Sequence, residues 1–125
     1  MREIEFRGQN INGHWAHGNL AIIKEKLDRA EIGTYISNSA GAPFAYQVRP
    51  ETVGQYTGLK DKNSNKIFEG DICWEEYGEC YGVVKFEDAK FLYLWENIAE
   101  NLWEVADDIE VSGNIHENLD LLEEQ

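Results

Sequence analysis

The sequence predicts a mainly β fold, a β-rich α+β protein with a short helix near its C-terminal end. Three observations predict it. Short runs of β-branched and aromatic residues recur about every ten residues from Val53 onward. Gly, Asn, Asp and Ser clusters separate those runs, and such residues favour turns. Only two prolines occur in 125 residues, and no low-complexity tract interrupts the pattern.

Residues 2–7 alternate Ile4 and Phe6 with Arg2, Glu3, Glu5 and Arg7, which reads as a first strand. Gly8-Gln9-Asn10-Ile11-Asn12-Gly13 reads as a turn, and His14 to Ile23 as the returning strand of a hairpin. Residues 24–32 are ambiguous: Lys24 to Glu31 favours helix by propensity, yet Gly33 stops it after about two turns. Thr34 to Ser37 reads as a strand, residues 38–43 as a loop, and Ala45 to Val48 as a short strand ended by Pro50.

The middle of the chain is the most clearly organised. Val53 to Leu59 and Lys66-Ile67-Phe68 form a hairpin around the polar turn Asp61-Lys62-Asn63-Ser64-Asn65. Gly70 opens the run Asp71-Ile72-Cys73-Trp74. Tyr81 to Phe86 and Phe91 to Trp95 complete a series whose spacing suits a small barrel or sandwich. Ile98 to Val105 reads as a helical turn or a loop, Ile109 to Ile115 as a last strand, and Glu117 to Glu124 as a short helix. The expected division is an N-terminal β-rich region over 1–52 and a second region over 53–125, together one compact unit.

Composition narrows the function classes. With four Trp, six Tyr and five Phe, the chain has ample apolar content for a core without disulfides or metal. No run approaches the ~18 apolar residues of a membrane helix, and the charged start is unlike a signal peptide. The expectation is a soluble chain in the cytoplasm of a bacterial host, with Cys73 and Cys80 as reduced thiols. The net charge of −13 is unevenly placed: residues 91–125 carry ten acids and no Lys or Arg. Such a segment repels phosphate and disfavours nucleic-acid binding.

Catalytic and metal-binding chemistry finds little footing. Asp61, Asn63 and Asn65 alternate like the first ligands of a calcium loop, but the sixth and twelfth positions hold Lys66 and Ile72 instead of Gly and Glu. A hairpin turn closed by Asx hydrogen bonds accounts for them better. Cys73 and Cys80 lack the second pair of a zinc site. His14 and His17, three apart on the expected strand, point to opposite faces. No nucleophile elbow or phosphate loop is present. No cofactor or metal is expected. Glu69 and Asp71 flank Gly70 and share a face, which makes them the best candidates for functional acids.

Three segments, taken together, resemble a known family. They are Glu5-Phe6-Arg7-Gly8 with Gly13 to Leu20; Val48-Arg49-Pro50-Glu51-Thr52 through Gly54-Gln55-Tyr56-Thr57-Gly58-Leu59-Lys60-Asp61 to Lys66-Ile67-Phe68-Glu69-Gly70-Asp71-Ile72; and Ile109 to Asn118. They resemble the YopX family of bacteriophage and prophage proteins over nearly the whole chain. The resemblance implies a phage or prophage origin and an SH3-like small barrel in the second half. It supplies no activity and no catalytic residues.

The functional expectation is a non-enzymatic accessory protein that binds another protein or a second copy of itself. Aromatic residues exceed what one small core requires, and Phe91, Tyr93 and Trp95 alternate with Leu92 and Leu94 on β-strand faces. The candidate surface comprises Tyr56, Glu69, Asp71, Trp74, Tyr93 and Trp95. Two alternatives stand beside it: an acidic mimic of nucleic acid that occupies a DNA-binding protein, and a metal-assisted hydrolase using Glu69 and Asp71.

Overall fold

The computed structural model describes residues 3–26, 31–37 and 45–123. The chain divides into two units, Met1–Gln55 and Tyr56–Gln125, and both are antiparallel β-structures. Residues 27–30 of the ambiguous stretch 24–32 and the loop expected at 38–43 lie outside the described residues, and the described remainder of that stretch, 24–26 and 31–32, is not helical.

In the first unit, β1 (Phe6–Gln9), β2 (Trp15–Ile23), β3 (Gly33–Ser37) and β4 (Ala45–Val48) run in the order β4-β3-β2-β1. The start of β5 (Gly54–Lys60) pairs with the other side of β1, Arg7 opposite Gly54. A hairpin joins β1 to β2, with Gln9 facing Trp15. Its turn forms because the Asn10 carboxamide accepts from the amides of Asn12 and His14, both at 2.9 Å.

The first strand lies further along than alternation predicts. It begins at Phe6 and includes Gly8 and Gln9, which read as turn residues. The reason is a non-local set of hydrogen bonds. The Gln9 N–H donates to Thr52 Oγ1 at 2.8 Å, and the Arg49 N–H donates to the Gln9 carbonyl at 2.8 Å. These tie β1 to the 3-10 turn Pro50–Thr52.

In the second unit, β5 continues into a hairpin with β6 (Lys66–Phe68). There follow β7 (Asp71–Glu75), β8 (Cys80–Glu87), β9 (Lys90–Trp95) and β10 (Ile98–Asn101). The helical turn α1 (Leu102–Val105) and a 3-10 turn lead to β11 (Ile109–Asn114), and α2 is the helical turn Asp120–Glu123. The second sheet has the order β10-β9-β8-β7-β11, so the last strand returns to the flank of β7. These pairings establish an antiparallel sheet with β10 and β11 at its edges, and do not carry the SH3-like closure that the resemblance implies. Ile98 to Val105, expected as turn or loop, is a strand followed by one helical turn.

The core of this unit is Ile67, Cys73, Val84, Tyr93, Leu102, Ala106 and Ile109, with Phe91 and Trp95 packed against it. Phe91, Tyr93 and Trp95 thus share the core face, as strand alternation requires. The opposite face is covered in part: Ile72 is fully buried, Leu92 is nearly so and α2 lies against β8, while Trp74, Tyr81, Val83 and Leu94 are half-buried. Gly82 is needed beneath the Tyr93 ring, because a Cβ there would come within 2.4 Å of Tyr93 Cζ. No helix among the described residues is long and apolar enough to cross a membrane.

Candidate binding surface

The segment from Val48 to Ile72, the longest carrier of the resemblance, is a scaffold of internal hydrogen bonds. In the first unit, Thr52 Oγ1 donates to the Arg49 carbonyl at 2.6 Å, and the Arg49 guanidinium donates to the Gln9 side-chain oxygen. In the second, the buried Thr57 hydroxyl donates to the Ile67 carbonyl at 2.8 Å. Gly70, at φ 92°, donates its N–H to the Val84 carbonyl and accepts from the Ile115 N–H. Its neighbour Asp71 is 1% exposed, and its Oδ2 accepts from the Phe68 N–H at 2.7 Å.

Asp61 is the hub of the polar turn. Its Oδ1 accepts from the amides of Asn63 (2.9 Å) and Asn65 (2.8 Å). Its Oδ2 accepts from the Val111 N–H at 2.8 Å and from the Asn65 side chain. Burial by itself would push the Asp61 carboxyl up. The Val111, Asn65 and Asn63 amides outweigh it and hold the pKa below the ordinary value. Both oxygens therefore face the chain's own donors, as an Asx-closed hairpin requires and a calcium loop does not. Among the described residues, no group of three or more His, Cys, Asp or Glu is placed to hold a metal ion.

The six residues expected to form a surface separate by burial. Tyr93 is fully buried and its hydroxyl donates to the Cys73 carbonyl at 3.0 Å. Burial, with Cys73, Cys80, Glu75 and Glu100 nearby, drives its phenol pKa far upward. Tyr56 is 5% exposed, its ring 5.5 Å from that of Phe68. These two and Asp71 are core residues. Glu69 is half-buried in the turn before β7. Trp74 and Trp95 are also half-buried. Trp74 lies against Tyr81 across the β7–β8 pair, and Trp95 donates its indole N–H to Glu100 at 2.7 Å. Glu69 and Asp71 flank the Gly70 bend but differ in burial.

His14 and His17 are not on opposite sides of one strand. His14 precedes β2, and both line a groove of about 350 Å³ in the first unit with Trp15 and Tyr46. Trp15 covers the guanidinium of buried Arg7, 4.9 Å from the ring centroid.

The large apolar side chains that do meet solvent in the second unit include Tyr77 (88% exposed), Trp103 (70%) and Ile98 (44%). Tyr77 caps the β7–β8 hairpin, where the Glu75 carboxylate accepts from the Tyr77 and Gly78 amides and fixes the turn. Trp103 projects outward because Leu102, Val105 and Ala106 take the inner side of α1 and the turn after it. That inner spacing is visible in the sequence and was the available signal for Trp103. Ile98 carried none, since Ile98-Ala99-Glu100-Asn101 has weak strand character by composition.

The crystal structure of protein EF1440 from Enterococcus faecalis is similar to this chain, with a TM-score of 0.61 and 23% identity over 98% of this chain and 99% of that one. At that identity the likeness carries the fold alone. Comparison with curated proteins found no match. A family model described as YopX protein matches residues 5–123, and the chain belongs to the YopX family.

Proposed function

We propose that this chain is a phage or prophage accessory protein that acts by binding another protein. One observation carries the reading: Trp103 and Ile98 stand in solvent beside and on β10, within residues 91–125, which have ten acids and no Lys or Arg. Exposed aromatic and aliphatic groups beside charge of one sign favour a protein partner over a small substrate. The candidate acids support it too, because Glu69 and Asp71 differ in burial and Asp71 spends one carboxylate oxygen on the Phe68 amide inside the core. A partner with a basic face is favoured, and the base-free surface also accommodates a DNA-binding protein held as if by nucleic acid.

The test is affinity capture from host lysate at 0.15 M salt, using wild type and the Trp103→Ser/Ile98→Ser variant in parallel. A protein retained by wild type and lost by the variant supports the reading. Recovery of the same proteins by both, or of none by either, overturns it. Circular dichroism should show the variant folded, since surface substitutions change stability by about 0.5 kcal/mol or less.

A further inference from the structure

The two edges of the second sheet are treated differently. On β11, the turn at 61–65 satisfies outward main-chain groups: the Lys62 N–H donates to the Ile109 carbonyl at 3.0 Å, and the Val111 N–H donates to Asp61 Oδ2 at 2.8 Å. Asn63 adds a side-chain bond to Glu110. This closes the edge to further strands.

On β10 no strand is paired to the outer side among the described residues. Trp95 faces Ile98 across the two-residue turn at 96–97, and Tyr93 faces Glu100. In such a hairpin the closing pair exchanges both hydrogen bonds, and the next pair exchanges none. Ile98 and Glu100 therefore direct their main-chain groups toward β9, while Ala99 directs both of its groups outward and Asn101 its N–H, the Asn101 carbonyl serving the first turn of α1 as its N-cap. Ala99 is exposed. The strand holds no Lys or Pro and its register has no bulge, so three devices that commonly blunt an edge are missing from this four-residue strand.

We propose that β10 accepts an extended, basic segment of a partner protein as an added strand. This rests on the protein-binding reading above and names the chemistry of the partner. Main-chain hydrogen bonds at Ala99 and Asn101 supply the pairing. The exposed carboxylates Glu96 and Glu104 bracket the strand and select Lys or Arg side chains. Trp103 and Ile98 give apolar contact beside it. A second copy is disfavoured as occupant, because pairing two β10 strands sets Glu96, Glu100 and Glu104 against their own duplicates.

The experiment uses the full chain and a blocked ten-residue peptide of alternating Lys and Val at 0.15 M salt. The same peptide with a central proline and a Glu/Val version serve as controls. The Lys/Val peptide should shift the Ala99 and Asn101 amide resonances and slow their hydrogen exchange. Ala99→Pro removes an outward N–H at an edge that tolerates proline, and should weaken binding about tenfold or more. If that variant fails to fold, the proline-interrupted peptide removes the same bonding from the other side and should bind correspondingly less. Equal binding of the interrupted peptide, shifts that leave residues 99 and 101 unmoved, or no binding at all overturns the proposal. So does an unliganded dimer in light scattering with those two amides already protected. A lysate partner that depends on Trp103 and Ile98 but is indifferent to Ala99→Pro overturns strand addition and leaves the binding reading standing.

Discussion

Asp61 shows how one carboxylate organises a turn and a sheet edge at once. Removing it in Asp61→Ala leaves the Asn63, Asn65 and Val111 amides without their acceptor. The expected loss is about 2–4 kcal/mol in urea unfolding at pH 7. Its folded pKa lies below its ordinary value. Its contribution is therefore complete above the unfolded value of about 3.9 and disappears as pH falls through the folded value. Wild type should lose stability faster than Asp61→Ala below about pH 4, so the two unfolding curves converge in acid. Parallel loss in both proteins would assign acid sensitivity to other groups. Cys73 and Cys80 are buried thiols of another kind. The Cys80 thiol is pushed up by burial and then by Glu75, Glu96 and Glu100, which keeps the nucleophilic thiolate scarce. Alkylation followed by mass spectrometry should leave Cys80 largely unmodified in the native chain at pH 8 and modify it rapidly in guanidinium.

Elements were legible where local chemistry decides them and illegible where distant partners do. The hairpin over 54–68 announces itself, since Asp61, Asn63 and Asn65 are turn residues that bond within the turn. The strands β7, β8 and β9 follow from β-branched and aromatic runs. Gly8 and Gln9 misled, because Thr52 and Arg49, about forty residues away, supply the bonds that hold them in β1. Replacing Thr52 by Val keeps the volume and removes the hydroxyl that serves the buried Gln9 N–H. It should cost about 1–3 kcal/mol, read as a lowered midpoint in thermal unfolding; an unchanged midpoint would mean that the 3-10 turn holds β1 without it. The candidate surface was harder to read than the fold. Aromatic surplus was visible, but which rings are core depends on strand order. Tyr56 and Tyr93 read as surface candidates and are core, while Ile98 gained its exposure only from the edge position of β10.

At the scale of the whole molecule, charge is the dominant unbalanced quantity. Twenty-four acids face eleven bases, and residues 91–125 have no base of their own. Raising salt from 10 mM to 150 mM shortens the screening length from roughly 30 to 8 Å and relieves that repulsion. The melting temperature should rise by a few degrees over that range in calorimetry, whereas a fall would mean that attractive ion pairs outweigh the repulsion. The position of β11 has a further consequence in time. It pairs with β7 although α1 and three strands intervene, and proteins are synthesised from the N-terminus at about 5–20 residues per second. For seconds on the ribosome, β7 holds Ile72 and Trp74 along an unmated flank, and Asp61 waits for an amide not yet made. Closing that long span is an entropic toll that slows the sheet's completion. The nascent chain is thus most prone to misassociation just before Ile109–Asn114 emerges.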